Sequence, residues 1–153
     1  QYPELRVIFT MPNSDPGHRP IVQAIDEYVK QHPDSSKAFA SLGVKRYLSA
    51  LQYVKAVVGN SSSGIIEVPS FGIPTLNIGD RQKGRVASRS VINCGTSCKE
   101  IINGISICLS PKTQESVKLC KNPYFKPNTA QLILKQLKNA DLEMIYRKTF
   151  FNL

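Results

Sequence analysis

Between positions 59 and 85 the chain strings together Gly59-Asn60-Ser61-Ser62-Ser63-Gly64, Glu67, and a glycine-bounded loop, Gly79-Asp80-Arg81-Gln82-Lys83-Gly84-Arg85. A Gly/Ser turn that opens a helix suits an anion, because unpaired amides and the positive end of the helix dipole face its occupant. Glu67 falls one helical turn after Gly64. A carboxylate there either accepts the hydroxyls of a ribose or closes a capping box at the helix start. Arg81, Lys83 and Arg85 read as a charge cluster for a phosphate-bearing ligand, with a solvated loop cation as the lesser alternative for Arg81.

These residues need strands to carry them. Val54 to Val58 is a short apolar run feeding the serine turn, and Thr75 to Ile78 reads as the next buried strand. Between them Phe71-Gly72-Ile73-Pro74 closes the helix, with Gly72 suited to a left-handed C′ position and Pro74 barring continuation. Upstream, a strand over Leu5 to Thr10 leads through Met11-Pro12-Asn13-Ser14-Asp15-Pro16-Gly17 into a helix with Pro20 in its first turn and Ile21, Ile25, Tyr28 and Val29 facing the core. A strand over Ser36 to Leu42 and a helix carrying Tyr47, Leu48, Leu51 and Val54 follow. Downstream come a strand over Val91 to Cys94, a helix from Lys99 to Leu109, and a helix after Pro127-Asn128 with Leu132, Ile133 and Leu137 on one face. The βα alternation predicts an α/β fold, a Rossmann-like parallel sheet with helices on both faces. In such sheets ligands sit beyond the carboxyl ends of the strands, so the loops at Asn13, Leu42-Gly43, Asn60 to Gly64 and Gly79 to Arg85 are expected to share one crevice. In that setting the ribose reading of Glu67 gains over the cap, and Asn13 with Asp15 reads either as part of the site or as an Asx turn.

The chain has 153 residues, enough for one domain with a proper core. Residues 1–140 are assigned to a nucleotide-binding domain and 141–153 to a tail, whose Ile145, Tyr146, Phe150 and Phe151 suit docking on another domain. A net charge of +9 raises nucleic acid as a partner, yet the cations are dispersed and no basic block is interleaved with aromatics. No apolar stretch approaches the ~20 residues of a membrane span. A soluble cytoplasmic protein without nucleic-acid or membrane partners is therefore expected. Cys94, Cys98, Cys108 and Cys120 fit no zinc or redox spacing and read as free thiols, and no cofactor or metal is expected.

Taken together, Asn60-Ser61-Ser62-Ser63-Gly64, Glu67, Phe71-Gly72-Ile73-Pro74 and Asn77 through Arg85 closely resemble the signature of UDP-N-acetylglucosamine 2-epimerases, in particular their hydrolysing branch from sialic acid and nonulosonate biosynthesis. Met11-Pro12-Asn13-Ser14-Asp15 and Asn122-Pro123-Tyr124 extend the resemblance over nearly all of the chain. It implies a two-domain architecture of the glycosyltransferase-B kind, of which this chain is the C-terminal, UDP-binding half, with the acid/base residues in a partner N-terminal half. By the same resemblance Ser61 and Ser62, with the neighbouring Ser63 and Gly64, hold the diphosphate, and Glu67 accepts both ribose hydroxyls. The backbone near Leu42 meets the uracil, and Arg81 and Asn13 line the side facing phosphate or sugar. The implied ligands are UDP and UDP-N-acetylglucosamine or a related UDP-sugar, and a homo-oligomer is expected. No catalytic residue is assigned to this chain, which alone is expected to be inactive. The donor domain of a UDP-sugar glycosyltransferase and a non-catalytic nucleotide-binding module are the alternatives.

Overall fold

The computed structural model describes residues 2–141, and these fall into two compact units, one ending at Val54 and the other beginning at Lys55. The α/β class with parallel strands is as the alternation predicts, the strands being hydrogen-bonded as a pair and as a set of three.

The first unit holds β1 (Val7–Thr10), α1 (His18–Gln31), β2 (Ser36–Phe39) and α2 (Gly43–Ala50). β1 and β2 pair in parallel from Val7 opposite Ser36 to Thr10 opposite Phe39. β2 stops short of the predicted Leu42 because that residue already has helical dihedrals, φ −85° and ψ −18°, as the N-cap of α2. On α1 the expected apolar stripe is only partly covered: Ile25 and Val29 are half-buried, Ile21 and Tyr28 exposed. Tyr28 packs edge-on against Phe9, ring centroids 5.6 Å apart.

In the second unit β3 (Val57–Gly59), β4 (Thr75–Ile78) and β5 (Val91–Cys94) form a parallel sheet in that order. The other elements are α3 (Ser63–Ile66), α4 (Cys98–Leu109), α5 (Pro111–Ser116) and α6 (Thr129–Lys138), with 3₁₀ turns at Val68–Phe71 and Val117–Leu119. Ile65, Val68, Leu76, Cys108 and Val117 form the core. Burial, with a smaller contribution from Cys94, pushes the Cys108 thiol up to about 11, which keeps it an apolar filler. Mid-sheet, buried Asn77 donates through Nδ2 to Oδ1 of its register partner Asn93 at 2.8 Å.

Two departures from the predicted elements have clear causes. The helix after the serine turn breaks in two because Pro69 lacks the amide that would reach back to Ile65. Gly72 then closes the 3₁₀ turn at φ 64°, the left-handed conformation predicted for it. Helix α4 begins at Cys98 under a capping box of Ser97 with Glu100, a Ser-x-x-Glu signature present in the sequence but not used. Hydrogen bonds from Ser97 hold the Glu100 carboxyl below its usual range. On α6 the expected apolar face is present, but Leu132, Ile133 and Leu137 are all exposed. Apart from Asp141, the tail assigned to 141–153 lies outside the described residues.

Candidate functional site

β3 and β4 run side by side with Gly59 opposite Asn77, so the serine turn and the cation loop leave adjacent strand ends. The serine turn is partly closed on itself. Ser63 N–H donates to Ser61 Oγ at 3.3 Å and Gly64 N–H to Ser61 O at 3.2 Å, so two amides expected to face a ligand are bonded within the turn. The helix it opens has only four residues. What the turn offers a ligand is therefore mainly hydroxyls; that of Ser62 makes no hydrogen bond among the described residues.

Gly64 owes its identity to packing. Thr75 Oγ1 donates to Gly64 O at 2.7 Å in a buried contact, and a Cβ on Gly64 would lie 2.6 Å from Thr75 Cγ2. The close approach fixes α3 against β4. Gly64→Ala is expected to lower the unfolding free energy by ~1–3 kcal/mol, as overpacked sites do. Urea unfolding of Gly64→Ala, alone and combined with Thr75→Ser, checks this: Thr75→Ser deletes the clashing methyl, keeps the hydroxyl, and should restore part of the loss.

Glu67 sits at the junction of α3 and the 3₁₀ turn with its backbone fixed on both sides: its N–H donates to Ser63 O at 2.9 Å and its carbonyl accepts from Ser70 N–H at 3.0 Å. The capping box does not form. The N-cap is Ser62, which makes Ile65 the N3 residue and leaves Glu67 past the helix end. Its exposed carboxylate makes no hydrogen bond or ion pair among the described residues.

The cation loop is anchored at three points. Gly79 N–H donates to Cys94 O at 2.9 Å at its start, and Tyr124 Oη donates to Val86 O at 2.9 Å just past its end. At its middle Gln82, only 6% exposed, donates through Nε2 to Asn60 O at 2.8 Å. Arg81 and Arg85 project from this held backbone, exposed and without an ion pair among the described residues; Lys83 lies 4.0 Å from Asp80. Ser61, Ser62, Ser63, Gly64, Glu67 and Arg81 thus belong to one hydrogen-bonded set of loops. Such a set, with serine hydroxyls, a carboxylate unpaired among the described residues and cations on a held backbone, can take a ligand that combines anionic oxygens with vicinal hydroxyls.

Asn13 and Leu42 belong to the first unit, where each follows the carboxyl end of a strand. Asn13 is exposed, and its side chain makes no hydrogen bond among the described residues, so the Asx turn does not form. His18 starts α1 and His32 caps its end, where Ser36 Oγ donates to its carbonyl at 2.7 Å. Among the described residues, no three His, Cys, Asp or Glu side chains could hold a metal ion, and no helix is long and apolar enough to cross a membrane.

Sequence reasoning passed over Gln82, Asn122 and Tyr124 as site-building residues. Gln82 was hidden among cations, although the one neutral side chain in such a row is the one that can be buried without a counter-charge. Asn122 and Tyr124 lie 36 or more positions beyond Val86, and only the resemblance marked them.

The model of a family described as UDP-N-acetylglucosamine 2-epimerase matches residues 1–138. Polysialic acid biosynthesis protein P7 of Escherichia coli is 38% identical over 145 residues, covering 91% of this chain and 37% of that protein. A hydrolysing GDP/UDP-N,N'-diacetylbacillosamine 2-epimerase of Campylobacter jejuni is 36% identical over 148 residues, 96% of this chain and 38% of its own length. A UDP-N-acetylglucosamine 2-epimerase of Neisseria meningitidis is 36% identical over 99 residues, 65% of this chain and 26% of its own. The chain therefore spans little more than a third of the curated relatives it matches along most of its length.

Proposed function

Because the chain belongs to the UDP-N-acetylglucosamine 2-epimerase family, we propose that it is the UDP-binding half of a hydrolysing 2-epimerase. The hydroxyls of Ser61 and Ser62, with Ser63 beside them, receive the diphosphate while Gly64 seats the turn against Thr75 instead of meeting the ligand; Glu67 accepts the ribose hydroxyls; Arg81 faces the phosphates. For Asn13 and the backbone at Leu42, in the first unit, a sugar or nucleotide contact rests on the family resemblance alone. The substrate is UDP-N-acetylglucosamine or a diacetamido relative of the kind named for similar proteins. The intact enzyme adds an N-terminal catalytic half and works as a cytoplasmic homo-oligomer.

In the proposed reaction a base removes the C2 proton, and the C1–O bond to UDP breaks with its electron pair leaving on the diphosphate. The resulting 2-acetamidoglucal then takes up water across its double bond to give N-acetylmannosamine or its analogue. The base and acid come from the N-terminal half; this chain orients UDP and stabilises the charge that collects on it. One observation carries the reading: a Glu67 carboxylate with no partner among the described residues stands on the same braced loop set as the serine turn and the Arg81 loop.

Calorimetric titration of the 153-residue chain with UDP tests it. Saturable binding with a Kd on the order of 0.1–1 mM is expected, with no release of UDP from UDP-N-acetylglucosamine, since half the contacts are supplied elsewhere. Turnover by the chain alone would overturn the proposed division of labour, and absence of UDP binding would overturn the site.

A further inference from the structure

Asn122 and Tyr124 connect the two edges of the candidate site. The Asn122 carboxamide donates from Nδ2 to Ile66 O at 2.8 Å and to Ser70 Oγ at 2.6 Å, acceptors on either side of Glu67. Its Oδ1 accepts from Tyr124 N–H at 2.9 Å. Because a carbonyl such as Ile66 O can only accept, the NH₂ must face it, and the carboxamide has one orientation. From the same short segment the Tyr124 hydroxyl reaches Val86 O, next after Arg85. Gln82 closes the circuit by joining the cation loop to Asn60, at the start of the serine turn.

We propose that Asn122 and Tyr124 are positioning residues for nucleotide recognition: Asn122 sets Glu67 against the ribose hydroxyls of a nucleoside diphosphate, and Tyr124 sets the cation loop against its phosphates. Both backbone hydrogen-bonding groups of Glu67 are already committed, its N–H to Ser63 O and its carbonyl to Ser70 N–H. Asn122 holds Ser70 and Ile66 from outside, so removing it releases the frame in which Glu67 is mounted without removing any group that touches the nucleotide. Tyr124 acts in the same way on the far end of the cation loop, whose other anchors at Gly79 and Gln82 remain. The inference rests on the nucleotide reading of the site.

Two affinity ratios measured on the chain separate the roles: UDP over 2′-deoxy-UDP reports the ribose contact, and UDP over UMP reports the second phosphate. Asn122→Ala is expected to cut the first ratio by about threefold or more, while in a Glu67→Gln background the same change moves it less than twofold, because residues acting through one contact are not additive. Tyr124→Phe is expected to cut the second ratio by a similar factor and spare the first. A ratio does not depend on the fraction folded. If Asn122→Ala does not fold, Asn122→Asp keeps the volume and the acceptor for Tyr124 N–H but loses the donor to Ile66 O, and the same loss is expected. A wild-type ribose ratio in the folded Asn122 variants, with Glu67→Gln lowering it, would overturn the clasp alone. No UDP binding by the wild-type chain would overturn the nucleotide reading and the clasp together.

Discussion

Arg81→Ala, made in an enzyme that contains this chain, is expected to lower kcat about 100-fold or more while changing KM far less. The backbone that carries Arg81 is held by Gly79 at one side and buried Gln82 at the other, so the point from which its side chain leaves is set before substrate arrives. A donor that meets charge growing as UDP departs shows in the rate, because the contact strengthens in the transition state. Arg81→Lys should rescue poorly, since a point charge lacks the planar fork that grips two oxygens. Steady-state kinetics on Arg81→Ala, Arg81→Lys and Arg85→Ala checks the assignment. Near-normal turnover in Arg81→Ala beside an inactive Arg85→Ala would move the role to Arg85, which is equally exposed.

Glu67→Gln is expected to cost ~1.5–3 kcal/mol of UDP affinity, the range for hydrogen bonds to a charged acceptor. Global stability should change little, because the carboxylate takes no part in the fold's hydrogen bonds among the described residues. Titrations of wild type and Glu67→Gln with UDP and 2′-deoxy-UDP measure this, and equal discrimination by both proteins would remove Glu67 from the site. A helix-cap role would instead cost about 1 kcal/mol of stability. Glu67 is the C-cap of α3 and the N-cap of the following 3₁₀ turn, and the lack of a capping hydrogen bond from its side chain removes that role.

Short-range chemistry in the sequence was enough to read most of the elements. The strands at Thr75–Ile78 and Val91–Cys94 and the stop at Gly72 agree with the structure at their ends, because each is fixed by residues within a turn of the boundary. Where tertiary contacts decide, the reading fell short. Two local features were passed over as well, the break at Glu67 caused by Pro69, which has no amide hydrogen, and the fold-back of Ser61 on Ser63 and Gly64. Gly64 read as a loop glycine, whereas the side chain that requires it, Thr75, lies 11 positions away. The clasp of Asn122 on Ile66 spans 56 positions and leaves no periodic trace. Asn13 was read after a strand end, as the structure has it, whereas Leu42, read as the end of a strand, lies beyond β2 as the N-cap of α2.

The amide pair of Asn77 and Asn93 has a bearing on where Arg81 stands. A strand slides by two residues without exchanging its faces, so apolar side chains alone distinguish weakly between the native alignment of β4 on β5 and one displaced along the sheet. A carboxamide pair at a single rung discriminates better: displaced by two, buried Asn77 would face Val91 or Gly95, neither of which has a side-chain hydrogen-bonding group, at about 1–3 kcal/mol for the orphaned carboxamide. Such a displacement would carry Gly79, and the loop that begins there, roughly 6–7 Å along the strand axis. It would also part Gly79 N–H from Cys94 O. The part-buried rung is thus a vernier for the site, setting the height at which the Arg81 loop leaves the sheet although neither asparagine belongs to the set proposed to bind the nucleotide.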